Sequence, residues 1–243
     1  MGSNPIGCAE DTITELMKAV ILAAGEGIRM RPLTLHVPKP LLTVKGLPLL
    51  HHLLVALPEN ITEIVIVVGY LGEKIKNHFG EEYLGKKIVY VEQPEKKGTF
   101  SALQLCEPLL SDDEPFCVFY ADDLLNRASI DRLLEHRFAV LVKKSEHPER
   151  FGVVSATPDG KVLGIIEKPE QPTSNLIVTN GCILDKNVFR CVPPPHANGE
   201  LYLSAAIHEM AKKHDVYAVS ADFWFPIGTP EDLKTAEGLI KNL

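Results

Sequence analysis

Apolar and polar positions divide the first half of the chain into short hydrophobic runs separated by stretches with helical spacing. The runs are rich in β-branched residues and lack polar alternation, as is typical of strands in a parallel sheet covered on both faces. They predict strands over 19–22, 64–68, 87–91 and 116–120. The intervening periodicity predicts helices over 49–57, 71–79 and 99–109. Ligands of such sheets collect at the carboxyl ends of the strands.

The second half of the chain has a different pattern, with strand-like runs separated by short turns. It predicts strands over 139–143, 153–156, 162–166 and 177–184, and helices over 202–214 and 230–243. Pro158-Asp159-Gly160 has the composition of a hairpin turn. We therefore expect antiparallel additions at the sheet edge, with a substrate lid in this half, and no independent second domain.

The two halves together predict one α/β domain over 17–243, built on a Rossmann-like, mostly parallel sheet covered by helices on both faces. The first half spans about 17–137 and the second about 138–243. A length of 243 residues suits one ordinary domain of this class. Residues 1–16 have no strand pattern of their own, and we interpret them as an N-terminal extension.

The charge balance and the cysteines indicate which binding partners and which cellular compartment to expect. Lys plus Arg number 25 and Asp plus Glu 32, a net charge of −7, which argues against a nucleic-acid partner but not against small anions. No apolar run reaches spanning length and no signal-peptide pattern is present, so we expect no membrane partner. The odd number of cysteines, without a C-x-x-C pair, argues against a disulfide scaffold and favours a reducing cytoplasm. The five scattered cysteines are interpreted as small buried apolar residues.

The residues that carry chemistry are concentrated directly after the first predicted strand. Gly25 and Gly27 open a loop that is followed by Arg29, Arg31 and Lys39. Glycines let backbone N–H groups approach an anion closely, arginine can grip two phosphate oxygens, and lysine supplies a point charge. This combination favours a polyphosphate ligand.

Three other interpretations of this segment are weaker. A dinucleotide-binding loop requires a third glycine where Met30 stands, and the Gly-Lys-Ser/Thr of a Walker loop is absent. A turn with solvated charges would explain a lone Gly-x-Gly. Here three basic residues, three prolines and two glycines fall within sixteen positions behind a strand, which favours phosphate binding.

The same segment resembles the signature of the sugar-1-phosphate nucleotidylyltransferases, the family that makes nucleotide sugars. In this chain the signature reads LAAGEGIRMRPLT at 22–34 and PKPL at 38–41. The stretch at 29–36 is especially similar to the N-acetylmuramate-1-phosphate uridylyltransferases. The resemblance runs from Met17 to the C-terminus and implies a glycosyltransferase-A-like nucleotidyltransferase fold.

The resemblance implies a nucleotide site in the first half of the chain. Residues that would cradle the nucleoside triphosphate are Leu22, Ala23, Ala24, Gly25, Gly27, Gly98 and Thr99. Arg29 would hold the β- and γ-phosphates, and Lys39 would steady the phosphates of both substrates. Gln93 matches the base-reading glutamine, whose amide both donates and accepts, and favours UTP or dTTP. A polar strand-end residue without a ligand is the open alternative for Gln93.

Asp122 is the candidate metal ligand and the third predicted catalytic residue, beside Arg29 and Lys39. It follows the predicted strand at 116–120, at the edge of the sheet where ligands collect. Carboxylates at such positions commonly bind Mg²⁺, the cofactor that the resemblance implies. Its neighbour Asp123 is interpreted as a cap or supporting group.

Pro226 is the main departure from the family pattern. It stands in Trp-Phe-Pro-Ile-Gly-Thr, where relatives have a second metal-binding aspartate. Proline offers no side-chain ligand, so Asp122 would be the main protein ligand of Mg²⁺. Asp123 and Asp222 are the candidates to compensate.

The resemblance also implies a sugar-phosphate site in the second half. Gly152 would present its backbone N–H to the sugar, Glu167 would accept sugar hydroxyls, and Lys168 would bind the sugar's phosphate. Asn180 and Glu200 match further sugar-contacting positions. Without the resemblance, the Glu-Lys-Pro sequence would be interpreted as an exposed turn.

The expected function is transfer of a nucleotidyl group from a nucleoside triphosphate to a sugar-1-phosphate. Attack is in line on the α-phosphorus, and pyrophosphate leaves. A catalytically silent nucleotide-sugar-binding regulator and a cytidylyltransferase acting on a non-sugar phosphate are the alternatives. The sequence leaves the sugar and the oligomeric state open.

Overall fold

A ten-stranded mixed sheet organises residues 16–112 and 114–240, the part of the chain that the computed structural model describes. The strands are β1 (Met17–Ala23), β2 (Thr43–Val44), β3 (Leu47–Pro48), β4 (Ile61–Val68), β5 (Glu82–Tyr83), β6 (Lys86–Glu92), β7 (Phe116–Tyr120), β8 (Asp123–Leu125), β9 (Ala139–Lys144), β10 (Gly152–Ala156), β11 (Val162–Glu167), β12 (Leu176–Leu184), β13 (Tyr217–Ser220) and β14 (Trp224–Pro226). The helices are α1 (Leu49–Ala56), α2 (Gly72–Phe79), α3 (Thr99–Gln104), α4 (Arg127–Leu134), α5 (Leu203–Ala211) and α6 (Pro230–Leu239). Short 3₁₀ helices span Ile28–Met30, Leu33–Leu35, Lys39–Leu41, Glu107–Leu109, Pro148–Arg150 and Lys186–Arg190.

The strand order confirms the predicted fold class. The main path is β11-β10-β12-β7-β1-β4-β6-β5, and β9 pairs with both β12 and β13. The strands of the first half, β7, β1, β4 and β6, pair in parallel. The strands β12, β10 and β11 of the second half add to them in antiparallel fashion, as expected.

Side chains on both faces of β1 are buried, which explains why its sequence shows no polar alternation. Ala19, Ile21 and Ala23 project into one hydrophobic cluster, whereas Val20 and Leu22 project into a second cluster on the opposite face. Full burial of a valine or isoleucine side chain contributes roughly 1.5–3 kcal/mol. The parallel strands therefore form a rigid base whose carboxyl ends can carry a site.

Two helices differ from the prediction in extent. The predicted helix at 99–109 is a shorter α3, followed by the 3₁₀ helix that contains Pro108, because a proline within a helix removes a backbone hydrogen bond and clashes with the preceding turn. The predicted helix at 202–214 is observed as α5, nine residues long. The last three residues of the predicted closing helix, and residues 1–15 of the predicted N-terminal extension, lie outside the described residues.

Several elements were not predicted, among them the short strands β2, β3 and β5, and the ribbon of β8 and β14 is the one that matters for the site. The two strands are three residues each, and Pro226 lies opposite Asp123 in their antiparallel register. The strand β13 and the helix α4 were also missed. Asn126 caps α4 by accepting a hydrogen bond from the Ser129 backbone N–H at 3.2 Å.

Four of the five cysteines, Cys106, Cys117, Cys182 and Cys191, are buried free thiols, which confirms that interpretation for them, and Cys8 lies outside the described residues. Burial raises the pKa of the Cys106 and Cys117 thiols to about 12. Among the described residues, no helix combines the length and apolarity needed to cross a bilayer.

Candidate active site

A cavity of about 420 Å³ opens at the carboxyl ends of β1 and β7. All of the predicted catalytic and nucleotide-binding residues line it, namely Leu22, Ala23, Ala24, Gly25, Gly27, Arg29, Lys39, Gln93, Gly98, Thr99 and Asp122. They come from four separate segments of the first half of the chain. The fold therefore brings together the residues that the sequence motifs singled out.

The glycine loop after β1 is held in a fixed conformation. Gly27 has a φ of +62°, and its carbonyl accepts hydrogen bonds from the Thr34 hydroxyl at 2.8 Å and the Met30 N–H at 2.9 Å. A Cβ on Gly27 would lie 3.0 Å from the Thr34 methyl group, so glycine suits this position on both counts. Met30 belongs to a buried hydrophobic cluster that includes Leu124, and its neighbour Arg29 is exposed and lines the cavity.

Lys39 and Asp122 form an ion pair on the wall of the cavity. The Lys39 Nζ lies 2.5 Å from Asp122 Oδ2, and Lys39 is only 8% exposed. The Asp122 carboxylate is more than a third exposed and lines the cavity. The pair thus presents a cation and a carboxylate side by side, the two groups that phosphate oxygens and a divalent metal would respectively require.

Asp123 supports the segment that follows β14. Its carboxylate accepts hydrogen bonds from Trp224 Nε1 at 2.9 Å and from the Ile227 N–H at 3.4 Å. Burial, together with the negative charge of Asp122, raises the pKa of Asp123. This placement agrees with a supporting role, and the adjoining Gly228 lines the cavity near Arg29.

Asp222 lies away from the cavity. Its carboxylate accepts a hydrogen bond from Asn126 Nδ2 at 2.8 Å and lies 3.5 Å from Arg132 Nη2. It is absent from the residues that line the cavity among those the structure describes. Asp222 is therefore not placed to replace the carboxylate that is missing at Pro226.

The wall around Gln93 combines two distant segments of the chain. Gln93 Nε2 donates to the Gly98 carbonyl at 3.4 Å. Gly98 has a φ of +96° and packs against the backbone of Leu201. The Thr99 hydroxyl accepts a hydrogen bond from the Leu203 N–H at 2.9 Å. The start of α3 is thereby joined to the start of α5.

The predicted sugar-phosphate residues Gly152, Glu167 and Lys168 form a second group beside the cavity. Glu167 Oε2 accepts a hydrogen bond from the Ser204 hydroxyl at 2.6 Å, and a Cβ on Gly152 would lie 3.1 Å from the same oxygen. Lys168 Nζ lies 4.7 Å from the ring centre of Tyr202, and Tyr202 lines the cavity. This group therefore borders the cavity through Tyr202.

Comparison with known proteins identifies the family. The family model described as Nucleotidyl transferase matches residues 18–242. The chain belongs to the nucleotidyl transferase family. It is 36% identical over 233 residues to the UTP–glucose-1-phosphate uridylyltransferase AglF of Haloferax volcanii, which covers 91% of this chain and 95% of AglF.

Other relatives of this nucleotidyl transferase agree with that match. The bifunctional protein GlmU of Methanocaldococcus jannaschii is 33% identical over 223 residues, which cover 90% of this chain but only 53% of GlmU. The chain therefore spans about half the length of that relative. A crystal structure from Bacillus anthracis, assigned as a glucose-1-phosphate thymidylyltransferase, superposes with a TM-score of 0.83 at 28% identity, covering 93% of this chain and 96% of that chain.

In this nucleotidyl transferase, both polar groups of the Asn180 side-chain amide are bound to the backbone of Tyr120. It is fully buried, its Oδ1 accepts from the Tyr120 N–H at 2.7 Å, and its Nδ2 donates to the Tyr120 carbonyl at 2.8 Å. It lies behind Tyr120, which lines the cavity. The structure therefore places Asn180 as a brace between β12 and the end of β7.

Several residues of the nucleotidyl transferase cavity were missed by the sequence reasoning. They include Glu26, Lys96 and Tyr202, whereas Glu200 had been singled out and does line the cavity. Glu26 lies between the two glycines of the loop, and Lys96 lies between Gln93 and Gly98. Their positions inside the motifs already used to predict the site could have indicated that Glu26 and Lys96 line the cavity.

The donor atoms of the cavity suit a metal held largely by its substrate. Among the described residues, no three His, Cys, Asp or Glu side chains cluster as a metal-binding group. Mg²⁺ often uses one or two carboxylates, several waters and substrate phosphate oxygens, and so needs no such cluster. The exposed carboxylate of Asp122 fits that type of coordination.

Proposed function

We propose that this protein transfers a nucleotidyl group from UTP or dTTP to a sugar-1-phosphate, with Mg²⁺ as cofactor. The observation that carries the proposal is the joint placement of Arg29, Lys39 and Asp122 on one cavity at the carboxyl ends of the parallel strands. Support also comes from the relatives named as a UTP–glucose-1-phosphate uridylyltransferase and a glucose-1-phosphate thymidylyltransferase.

The reaction needs positioning and charge neutralisation more than proton transfer. An oxygen of the sugar phosphate forms a bond to the α-phosphorus, the bond between that phosphorus and the bridging α–β oxygen breaks, and pyrophosphate leaves with both electrons. A phosphate monoester has a second pKa near ~6, so the nucleophile is already largely dianionic at neutral pH. No general base is required, and catalysis depends on holding two anions in line.

The basic residues divide this work. Arg29, on the 3₁₀ helix behind the glycine loop, would hold the β- and γ-phosphates and stabilise the departing pyrophosphate. Lys39 would neutralise charge at the α-phosphate, where its partner Asp122 would bind the metal. Bound Mg²⁺ would supply charge neutralisation of the phosphate oxygens. Lys168, beside Tyr202, would bind the phosphate of the sugar.

The preference for a pyrimidine base rests on Gln93. Its side chain lines the cavity and already donates to the Gly98 carbonyl. The remaining N–H and the carbonyl oxygen of the amide would pair with the donor and acceptor on the edge of uracil or thymine. Replacement of Gln93 by leucine should therefore relax the preference among triphosphates more than it lowers the turnover number.

The test is a matrix of the five common nucleoside triphosphates against a panel of sugar-1-phosphates, with Mg²⁺ varied and pyrophosphate release measured. We expect turnover with UTP or dTTP and at least one sugar-1-phosphate, and none without a divalent cation. The absence of pyrophosphate release with every pair, despite nucleotide-sugar binding, would instead support the regulatory alternative that Pro226 suggests. Turnover restricted to CTP and non-sugar phosphates would support the cytidylyltransferase alternative.

We also infer a cytoplasmic location. The four buried free thiols support it, because a reducing compartment keeps such cysteines unpaired. Fractionation of the cells that express the protein, followed by detection with a specific antibody, tests this inference. Recovery in a secreted or membrane fraction would overturn it.

A further inference from the structure

An ion pair between Glu26 and Lys96 lies on the wall of the cavity. The Lys96 ammonium contacts Glu26 Oε1, and both residues line the cavity. Glu26 belongs to the loop that follows β1, and Lys96 belongs to the segment that follows β6. The strand β4 separates these two strands in the sheet. The pair therefore connects two loops that are apart in the sheet, at the place where the glycines would meet a phosphate.

The charged side chains on the cavity are balanced in sign. The carboxylates are Glu26, Asp122 and Glu200, and the cations are Arg29, Lys39 and Lys96. Both lysines are paired with carboxylates of the same cavity, Lys39 with Asp122 and Lys96 with Glu26. A triphosphate carries several negative charges, so its binding requires these lysines to exchange partners.

Glu26 has a second cationic partner, which lowers the free-energy cost of losing its contact with Lys96. The Arg31 Nη2 lies 3.3 Å from Glu26 Oε2, and Arg31 is absent from the described residues that line the cavity. Both cations contribute to holding the pKa of the Glu26 carboxyl below its usual value. If Lys96 turns to a phosphate, Glu26 retains a counter-ion outside the ligand.

The side chain of Lys96 is free to make this turn. It is about half exposed, and its Nζ already reaches the side chain that lies between Gly25 and Gly27. A phosphate on the N–H groups of that loop would lie within reach without movement of the backbone. The neighbouring Lys97 differs, because it is paired with Glu95 at 2.6 Å and is not among the cavity residues.

We propose that Lys96 is an additional phosphate-binding residue for the nucleoside triphosphate, held by Glu26 until the triphosphate replaces that carboxylate. Glu26 then pairs with Arg31 alone. This inference rests on the proposed function for the identity of the ligand. It predicts that replacements of the two members of this ion pair have opposite effects on affinity for the triphosphate, since Lys96 binds the ligand and Glu26 competes with it.

The test compares Lys96→Gln, Glu26→Gln and the matched control Lys97→Gln by calorimetric binding of UTP, dTTP and inorganic tripolyphosphate. Loss of a charge-assisted contact of about 1.5 kcal/mol corresponds to a Kd roughly tenfold higher for Lys96→Gln. Removal of the competing carboxylate should lower the Kd about threefold for Glu26→Gln. The Lys97→Gln protein should bind like the unmodified protein, and Lys96→Arg should restore most of the affinity.

Two results would overturn the proposal. A higher Kd for both Glu26→Gln and Lys96→Gln would mean that the pair is a strut between loops. An effect of Lys96→Gln on UTP but not on tripolyphosphate would mean that Lys96 contacts the nucleoside and not the phosphates. The proposed function is tested separately, because its failure would appear as an absence of pyrophosphate release by the unmodified protein. The binding measurements test the role of Lys96 whatever that result is.

Discussion

Gly98 packs against the backbone of Leu201 so closely that a Cβ on Gly98 would lie 2.3 Å from the Leu201 carbonyl oxygen. The same two segments are joined by hydrogen bonds from the Leu201 N–H to the Lys97 carbonyl at 2.8 Å and from the Phe100 N–H to the Leu201 carbonyl at 2.9 Å. A conformation that only glycine tolerates thus connects the wall around Gln93 to the chain that leads into α5.

Replacement of Gly98 by alanine should destabilise the protein. The positive φ costs about 1–2 kcal/mol for a residue with a Cβ, and displacement of Leu201 adds to this, so we expect a loss of at least about 2 kcal/mol in the free energy of unfolding. Urea denaturation measures it. The control is Gly238→Ala, where a Cβ meets open space within α6 and should stabilise by roughly 1 kcal/mol. Equal stability of the two variants would contradict the prediction.

Asp122→Asn should abolish most of the turnover. The amide keeps the shape of the side chain but removes the charge proposed to bind Mg²⁺, and we expect a loss of about 100-fold or more in pyrophosphate release. The apparent Mg²⁺ requirement should also rise. Asp222→Asn is the matched control, since Asp222 pairs with Asn126 and Arg132 away from the cavity. Turnover of Asp122→Asn within a few-fold of the unmodified protein would refute the assignment.

Asn180→Ala should lower stability more than it changes recognition of the sugar. The substitution leaves the buried N–H and carbonyl of Tyr120 without their partners, which costs roughly 1–3 kcal/mol for each unsatisfied group. Thermal unfolding, together with the KM for the sugar-1-phosphate, separates the two roles. A raised KM with an unchanged unfolding temperature would show that the amide contacts the sugar as the family resemblance implied.

Glu63 should make the stability of the protein depend on acid pH. Its carboxylate lies 2.8 Å from Lys18 Nζ and 2.9 Å from Lys87 Nζ, and these hydrogen bonds lower the pKa of Glu63 from its ordinary value. A lowered folded pKa contributes stability above the unfolded value of about 4.3, and the contribution is lost as the pH falls through the folded pKa.

The measurement for Glu63 is the difference in unfolding free energy between the unmodified protein and Glu63→Gln across pH 7 to 3. We expect a difference of about 1 kcal/mol at pH 7, because the carboxylate is partly exposed, and a decline of that difference below about pH 4.5. A difference that stays constant over this range would show that the ion pairs do not contribute.

The local sequence was sufficient to predict those parts of the structure whose conformation depends on residues that are neighbours in the chain. The runs that became β1 and β4 were recognisable because strands buried on both faces have no polar alternation. The glycine loop was recognisable because Gly25 and Gly27 directly follow a predicted strand and precede Arg29 and Lys39. The residues predicted to bind the nucleotide were found on one cavity for the same reason, as each sits in a short motif at the end of a strand.

The short elements β8 and β14, and the role of Asn180, could not be predicted from the sequence. Three-residue strands carry no periodicity, and a buried amide such as that of Asn180 differs from an exposed one only through what packs against it. Pro226 was singled out as a departure from the family pattern, but its register opposite Asp123 depends on pairing of strands about a hundred residues apart in the chain.

The sequence by itself determined the main parallel strands, the glycine loop and the family resemblance, since these depend on local conformation and on motifs of a few residues. Only the tertiary structure decided which polar groups form hydrogen bonds within the protein and which remain available to a ligand. The Asn180 amide and the Tyr120 backbone are 60 positions apart, and Glu26 and Lys96 are 70 positions apart. Contacts between residues so far apart in the chain depend on the order of the strands in the sheet, because that order decides which distant side chains meet.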